Sequence, residues 1–168
     1  MEPADQSPEE VYSVWALTPE PVRSRLRGVM DGLRAAHGGP AFEPHATVVG
    51  AIRLRRSQAI EMLRAAAVGV SPYTARVTGV APRRLLLLPV RLPPARTYSR
   101  AYMPHVSLLY GDLTDEEKEE ARKKVEELDK NICGLQFEIS ELALYRTDTE
   151  DKTLESWELV EVAHLEKK

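Results

Sequence analysis

The chain has 168 residues, 43% of them apolar and 29% charged, with a formal net charge of −3. That size and balance fit one globular unit, and the mild acidity excludes a general nucleic-acid binder, whose footprint is basic. A single cysteine, Cys133, excludes an internal disulfide and a cysteine metal cluster, and the longest apolar run, Leu85-Leu86-Leu87-Leu88, is far too short to cross a bilayer.

Met1 to Glu10 is acidic and polar and lacks the pattern of a signal peptide, so a cytoplasmic compartment is expected. Val11 to Leu17 is rich in β-branched and aromatic residues and reads as a strand. Thr18-Pro19-Glu20-Pro21 then opens a helix. Its apolar face is Val22, Leu26, Val29, Met30 and Leu33, and Gly38-Gly39-Pro40 stops it. A strand over about Ala46 to Ile52 follows, then a helix from an N-cap at Ser57 to about Ala67. Tyr73 to Val80 reads as a strand, and Arg83 to Val90 as another.

Pro89, Pro93 and Pro94 make Val90 to Ala101 a poor candidate for regular structure. The next strand is Pro104 to Tyr110. Thr114-Asp115-Glu116-Glu117 is a capping box for a helix ending near Leu128. Leu135 to Arg146 and Ser156 to Leu165 read as two strands joined by a polar loop. Helices covering antiparallel strands, with no linker between independent halves, give an α+β fold in one domain spanning residues 1–168.

One pattern occurs twice. Glu43-Pro44-His45-Ala46-Thr47-Val48-Val49 recurs as Met103-Pro104-His105-Val106-Ser107-Leu108-Leu109. In a strand the side chains alternate between faces, so each histidine shares a face with the hydroxyl two residues later. If the strands lie side by side, two imidazoles and two hydroxyls converge. His37 and His164 lack such companions and read as surface residues. A zinc site would want three or four ligands at closer spacing. The elbow of a serine hydrolase and a glycine-rich phosphate loop are both missing from the sequence, so no metal and no cofactor is expected.

The chemistry that suits this set is attack on a phosphodiester. A neutral histidine takes a proton from water, and a protonated one gives a proton to the leaving oxygen. The ordinary imidazole pKa of about 6.5 suits both tasks, and each positioned acid or base contributes roughly 10²–10⁴-fold. Thr47 and Ser107 would bind the nonbridging oxygens. A second feature is charge: seven arginines and no acidic residue lie between Met62 and Gly111. Since lysine is absent before Lys118, this reads mainly as arginine preference, with a positive field as a secondary effect.

His-x-(Thr/Ser) repeated on paired strands resembles the two-histidine phosphoesterase superfamily, and within it the plant-type cyclic phosphodiesterases. The resemblance also rests on Val11 to Leu17, on Gly39-Pro40-x-Phe42-x-Pro44, on Tyr102 to Tyr110, and on Thr147 to Trp157. It implies two pseudo-symmetric lobes of antiparallel sheet with outer helices and a central cleft. It implies opening of ADP-ribose 1″,2″-cyclic phosphate to the 1″-phosphate, and of nucleoside 2′,3′-cyclic phosphates to 2′-phosphates, in the handling of tRNA-splicing by-products. His45 and His105 would be the acid/base pair, Thr47 and Ser107 would bind phosphate, and Tyr110 and Trp15 would line the substrate. The expected partner is a small cyclic phosphate, with no stable nucleic-acid partner and no membrane, and the protein is expected to be a monomer. The rival readings are an RNA-end or 2′,5′-oligonucleotide phosphodiesterase and an inactive, binding-only relative.

The resemblance fails over residues 79–101. The family has there an aromatic-rich strand and a helix; this chain has a Leu/Arg/Pro-rich segment too short for both.

Overall fold

Strand β1 (Glu10–Leu17) runs through the middle of the molecule, with Tyr12, Val14, Trp15 and Ala16 all 2% exposed or less. The structure, a computed structural model, describes residues 6–68, 70–79, 81–82, 86–91, 105–109, 113–148, 150–151 and 153–166. Helix α1 (Val22–His37) buries the face its sequence spacing predicts: Val22, Leu26, Val29, Met30 and Leu33. It ends where Gly38 turns to a φ of 77°, a conformation that glycine adopts freely, and the Gly38 N–H closes on the Arg34 carbonyl at 2.8 Å.

Strand β2 (His45–Leu54) leads into α2 (Arg56–Val68). This helix starts one residue before Ser57, so Ser57 lies in its first turn and is not the N-cap. The Gln58 side chain reaches back to accept the Arg55 N–H at 3.0 Å and serves the helix start instead. Strands β3 (Tyr73–Val77), β4 (Ala81–Pro82), β5 (Leu86–Arg91) and β6 (His105–Leu109) follow. The predicted strand over Tyr73 to Val80 thus stops at Val77. Of the predicted strand over Arg83 to Val90, the part from Leu86 is β5. Residues 92–104 and 110–112 lie outside the described residues, and with them Tyr102, Tyr110 and most of the atypical segment.

Helix α3 (Asp115–Leu128) carries the predicted capping box. The Glu117 N–H donates to Thr114 Oγ1 at 3.1 Å, and the Thr114 N–H donates to Glu117 Oε1 at 3.2 Å. Helices α1 and α3 approach closely at Gly32, where an added Cβ would come within 2.7 Å of Leu128. Arg25 of α1 also holds Asp129 just beyond α3 in a two-pronged ion pair, one arm at 2.7 Å.

The predicted single strand from Leu135 to Arg146 is two strands, β7 (Gln136–Ile139) and β8 (Glu141–Arg146). The buried phase shifts between them, from Phe137 and Ile139 to Leu142 and Leu144. At the break the Ser140 carbonyl accepts the Leu165 N–H at 2.8 Å. The two strands also pair in different places, β7 with β3 and β8 with β1 and β9, so the chain changes partners at this break. Strand β9 (Glu158–His164) pairs with β8.

All pairings are antiparallel, and the strands run in the order β7-β3-β5-β6-β2-β1-β8-β9, with β4 beside β5. Helices α1 and α3 pack over the β5–β6 half and α2 over the β1, β8 and β9 half. The α+β fold expected from sequence is therefore present. The two motif strands, β2 and β6, are neighbours at its centre and are paired through Ala46 and Val106.

Candidate active site

Two strands paired antiparallel at Ala46 and Val106 are related by a local twofold axis through that pair. The axis exchanges His45 with His105 and Thr47 with Ser107. Continuing the register by one residue each way sets His45 opposite Ser107 and Thr47 opposite His105. The histidines are then diagonal neighbours. Diagonal residues in such a pair lie roughly 7–8 Å apart, their Cβ atoms somewhat closer, so long side chains there are within reach of each other. Four of the six residues singled out in sequence thus share one face of the central strand pair. Val106 and Leu108 alternate with them, and both are fully buried in the core with Leu26 and Leu33 of α1.

The outer neighbours break the symmetry. Trp15 of β1 stands opposite Thr47, while Leu87 of β5 stands opposite Ser107. Leu17 stands opposite His45, and Pro89 opposite His105. On the β1 side the Trp15 indole flanks the first motif.

His45 is 3% exposed. Its ring lies flat against Trp15, with centres 3.5 Å apart and planes 8° from parallel. Tyr145 of β8 stacks on the same indole at 3.9 Å, Trp157 meets it tilted at 5.7 Å, and Phe42 stands edge-on to His45 at 6.1 Å. Burial pushes the His45 imidazolium down to about 4; the Glu43 carbonyl opposes the shift, and the charge on His105 adds to it. His45 is therefore neutral at pH 7. Its Nδ1 lies 2.6 Å from the Glu43 carbonyl oxygen. A carbonyl can only accept, so Nδ1 carries the hydrogen and Nε2 keeps its lone pair. His105 is half-buried.

The sequence and the fold both have counterparts among known proteins. Over 174 aligned residues, 94% of this chain and 96% of its relative, the sequence is 40% identical to the cyclic phosphodiesterase of Arabidopsis thaliana. The chain belongs to the cyclic phosphodiesterase family. It is an enzyme of that class. A cyclic phosphodiesterase from Triticum aestivum is 49% identical over 84 residues, half of this chain and all of that one. Among solved structures, LigT of E. coli in its apo form superposes with a TM-score of 0.60 at 15% identity, covering 96% of this chain and all of that chain. It supports the LigT-like fold. No family model matches the sequence.

Several residues around His45 were not singled out as site residues from sequence. Tyr145 and Phe42 join the aromatic wall, and Trp157 reaches it from the loop between β8 and β9. Burial pushes the Tyr145 phenol up, with Glu43 adding to the shift, so it stays neutral. The loop is organised by Asp151. Its carboxylate accepts from the Ser156 hydroxyl at 2.6 Å and N–H at 2.9 Å, and from the Thr153 hydroxyl at 2.5 Å and N–H at 2.9 Å. Those donors, the Ser156 hydroxyl first, hold Asp151 well below the usual carboxylate range. Trp157 Nε1 donates to the Asp148 carbonyl at 3.0 Å, which fixes the indole across the loop. A buried hydroxyl pair, Ser13 and Thr147 at 2.8 Å, ties the loop base to β1.

His37 closes α1, and His164 lies exposed at 3.6 Å from Glu141, away from the motif strands. Among the described residues, no group of three or more His, Cys, Asp or Glu side chains is placed to hold a metal, and no helix is long and apolar enough to cross a membrane.

Proposed function

We propose that this cyclic phosphodiesterase opens ADP-ribose 1″,2″-cyclic phosphate to ADP-ribose 1″-phosphate, and nucleoside 2′,3′-cyclic phosphates to 2′-phosphates, by acid/base catalysis between His45 and His105. The observation that carries the proposal is the pairing of β2 with β6 at Ala46 and Val106, which sets both His-x-(Thr/Ser) motifs on one face.

In this mechanism the substrate phosphate sits between the imidazoles, with Thr47 and Ser107 donating to its nonbridging oxygens. His45 Nε2 takes a proton from water as the water oxygen bonds to phosphorus. The bond from phosphorus to the 2″ oxygen of ADP-ribose, or to the 3′ oxygen of a nucleoside, breaks on the opposite side. His105 gives that oxygen its proton. A bound cyclic phosphate carries one negative charge, which favours one imidazolium nearby. The acid role is given to His105, the less buried of the two rings. The buried His45 starts neutral with its Nε2 lone pair unengaged by the Glu43 contact, which is the state a base requires.

The protein is further proposed to act as a cytoplasmic monomer on by-products of tRNA splicing, with no stable nucleic-acid partner. Tyr110 is proposed to line the substrate as well. The deciding experiment incubates the protein with ADP-ribose 1″,2″-cyclic phosphate in EDTA and identifies the product isomer. Formation of the 1″-phosphate at an undiminished rate is expected. No turnover, or turnover that stops in chelator, would reject the scheme.

A further inference from the structure

The turn that leads into His45 carries a cluster of charges that the reaction scheme does not use. Arg23 Nε lies 3.3 Å from Glu43 Oε1, and the Arg27 guanidinium contacts Glu43 Oε2. Arg23 and Arg27 are one turn apart on α1. Arg23 Nε also donates to the Thr18 carbonyl at 3.1 Å, just after Leu17, the strand partner of His45. The Glu43 carboxylate is thus tied to the helix and, through Arg23, to the end of β1. Its side chain is 22% exposed, that of Arg23 29% and that of Arg27 51%, so the Arg23 contact is the more sheltered of the two.

The main chain of the same residue makes the hydrogen bond to His45 Nδ1 at 2.6 Å. The connection from α1 to β2 begins Gly38-Gly39-Pro40, with φ of 77° and 100° at the two glycines. A glycine-rich entry has wide conformational freedom, so the carbonyl two residues before His45 needs an anchor. Nearer the helix, Arg34 Nε reaches the Gly39 carbonyl only at 3.4 Å. We infer that Glu43 is a positioning residue for His45: its side chain, clamped by Arg23 and Arg27, fixes the carbonyl that dictates which imidazole nitrogen carries the hydrogen. This rests on the reading of His45 as the base. The lock matters because the lone pair must stay on Nε2; with Nδ1 unanchored, the ring can turn or exchange tautomers, and neither alternative presents a base to water.

The test compares Glu43→Ala, Glu43→Asp and the double variant Arg23→Met/Arg27→Met with the unaltered protein. Two quantities are read: kcat and KM on a nucleoside 2′,3′-cyclic phosphate, and the His45 tautomer from imidazole ¹⁵N shifts. Glu43→Ala is expected to lower kcat roughly 10-fold, the size usual for a residue that orients a working histidine. KM should stay within about twofold, and the Nε2–H tautomer of His45 should become visible. Glu43→Asp should recover most of the loss. The arginine pair, removed from the helix side, should repeat the tautomer change even if Glu43→Ala folds poorly. Unaltered tautomer and kcat in a folded variant would overturn the inference. His45→Ala is measured alongside. If it keeps full activity, the base reading itself fails; if it is inactive while Glu43→Ala behaves like the parent protein, only the positioning role fails.

Discussion

The indole of Trp15 covers the imidazole of His45 face to face, 3.5 Å between ring centres. Two opposite effects meet in this contact. A π face favours an imidazolium by roughly 0.5–2 kcal/mol. Burial disfavours it, and the fall from 6.5 to about 4 corresponds to about 3 kcal/mol in favour of the neutral ring. Burial wins. Trp15→Leu should therefore admit water and return the His45 titration toward 6.5, at a stability cost of roughly 2–4 kcal/mol for the lost buried ring. Trp15→Phe, which keeps a flat face, should move the titration much less. Proton NMR of the His45 ring against pH reads both.

The two histidines should fail differently. His45→Ala and His105→Ala should each lower kcat by roughly 10²–10⁴-fold on ordinary substrates. A phosphodiester with a nitrophenolate leaving group needs no proton on departure. On that substrate His105→Ala should recover most of its rate and His45→Ala should not. Equal recovery of both, or recovery of His45→Ala alone, would contradict the division of roles.

Activity should persist to unusually low pH. As the proposed base His45 must be neutral, and it gains its proton only near pH 4. The acid limb of kcat/KM is thus expected near 4, well below the ordinary imidazole value. An acid limb between 6 and 7 would contradict the assignment of the buried ring as base.

The same group makes stability depend on pH. Between 6.5 and about 4 the unfolded chain binds a proton at this position and the folded chain does not. Stability is therefore greatest above 6.5 and falls as pH drops toward 4, by about 3 kcal/mol in total. Urea unfolding at pH 7.5 and pH 4 should show this fall. In His45→Gln, which cannot titrate, the slope over that window should shrink by the same amount.

Asp151 should govern the outer edge of the aromatic wall. Asp151→Ala removes the acceptor of four hydrogen bonds from Thr153 and Ser156. Amide exchange across residues 153–157 should quicken by roughly 10-fold or more as the loop opens locally. Tryptophan emission should shift to the red as Trp157 leaves Trp15. Asp151→Asn, which keeps one carbonyl acceptor, should show a smaller change of the same sign.

Features carried by short sequence windows were legible before the fold was known. The α1 face, the Thr114–Glu117 capping box and the alternation around both histidines depend on neighbours within a turn or a strand. The break at Ser140 was missed, although Phe137 and Ile139 alternate in odd phase and Leu142 and Leu144 in even phase. A run of strand-forming residues hid that change. The wall of Trp15, Tyr145, Trp157 and Phe42 comes from four separate parts of the chain, and it is assembled by the β1–β8 register, the β8–β9 loop and the turn that leads into β2. The base and acid roles were also illegible, because they turn on a backbone carbonyl at Glu43 and on how much water each ring retains.

The unequal burial of His45 and His105 bears on regiochemistry. A phosphate gripped on a true twofold axis could be approached by water from either flank, and a cyclic diester would then open at either of its two sugar oxygens, giving mixed isomers. With one ring buried under an indole and the other half-buried, the two histidines differ in solvation before any substrate arrives. The proposed reaction then has one entry side and one exit side, and a single phosphate isomer leaves the cleft.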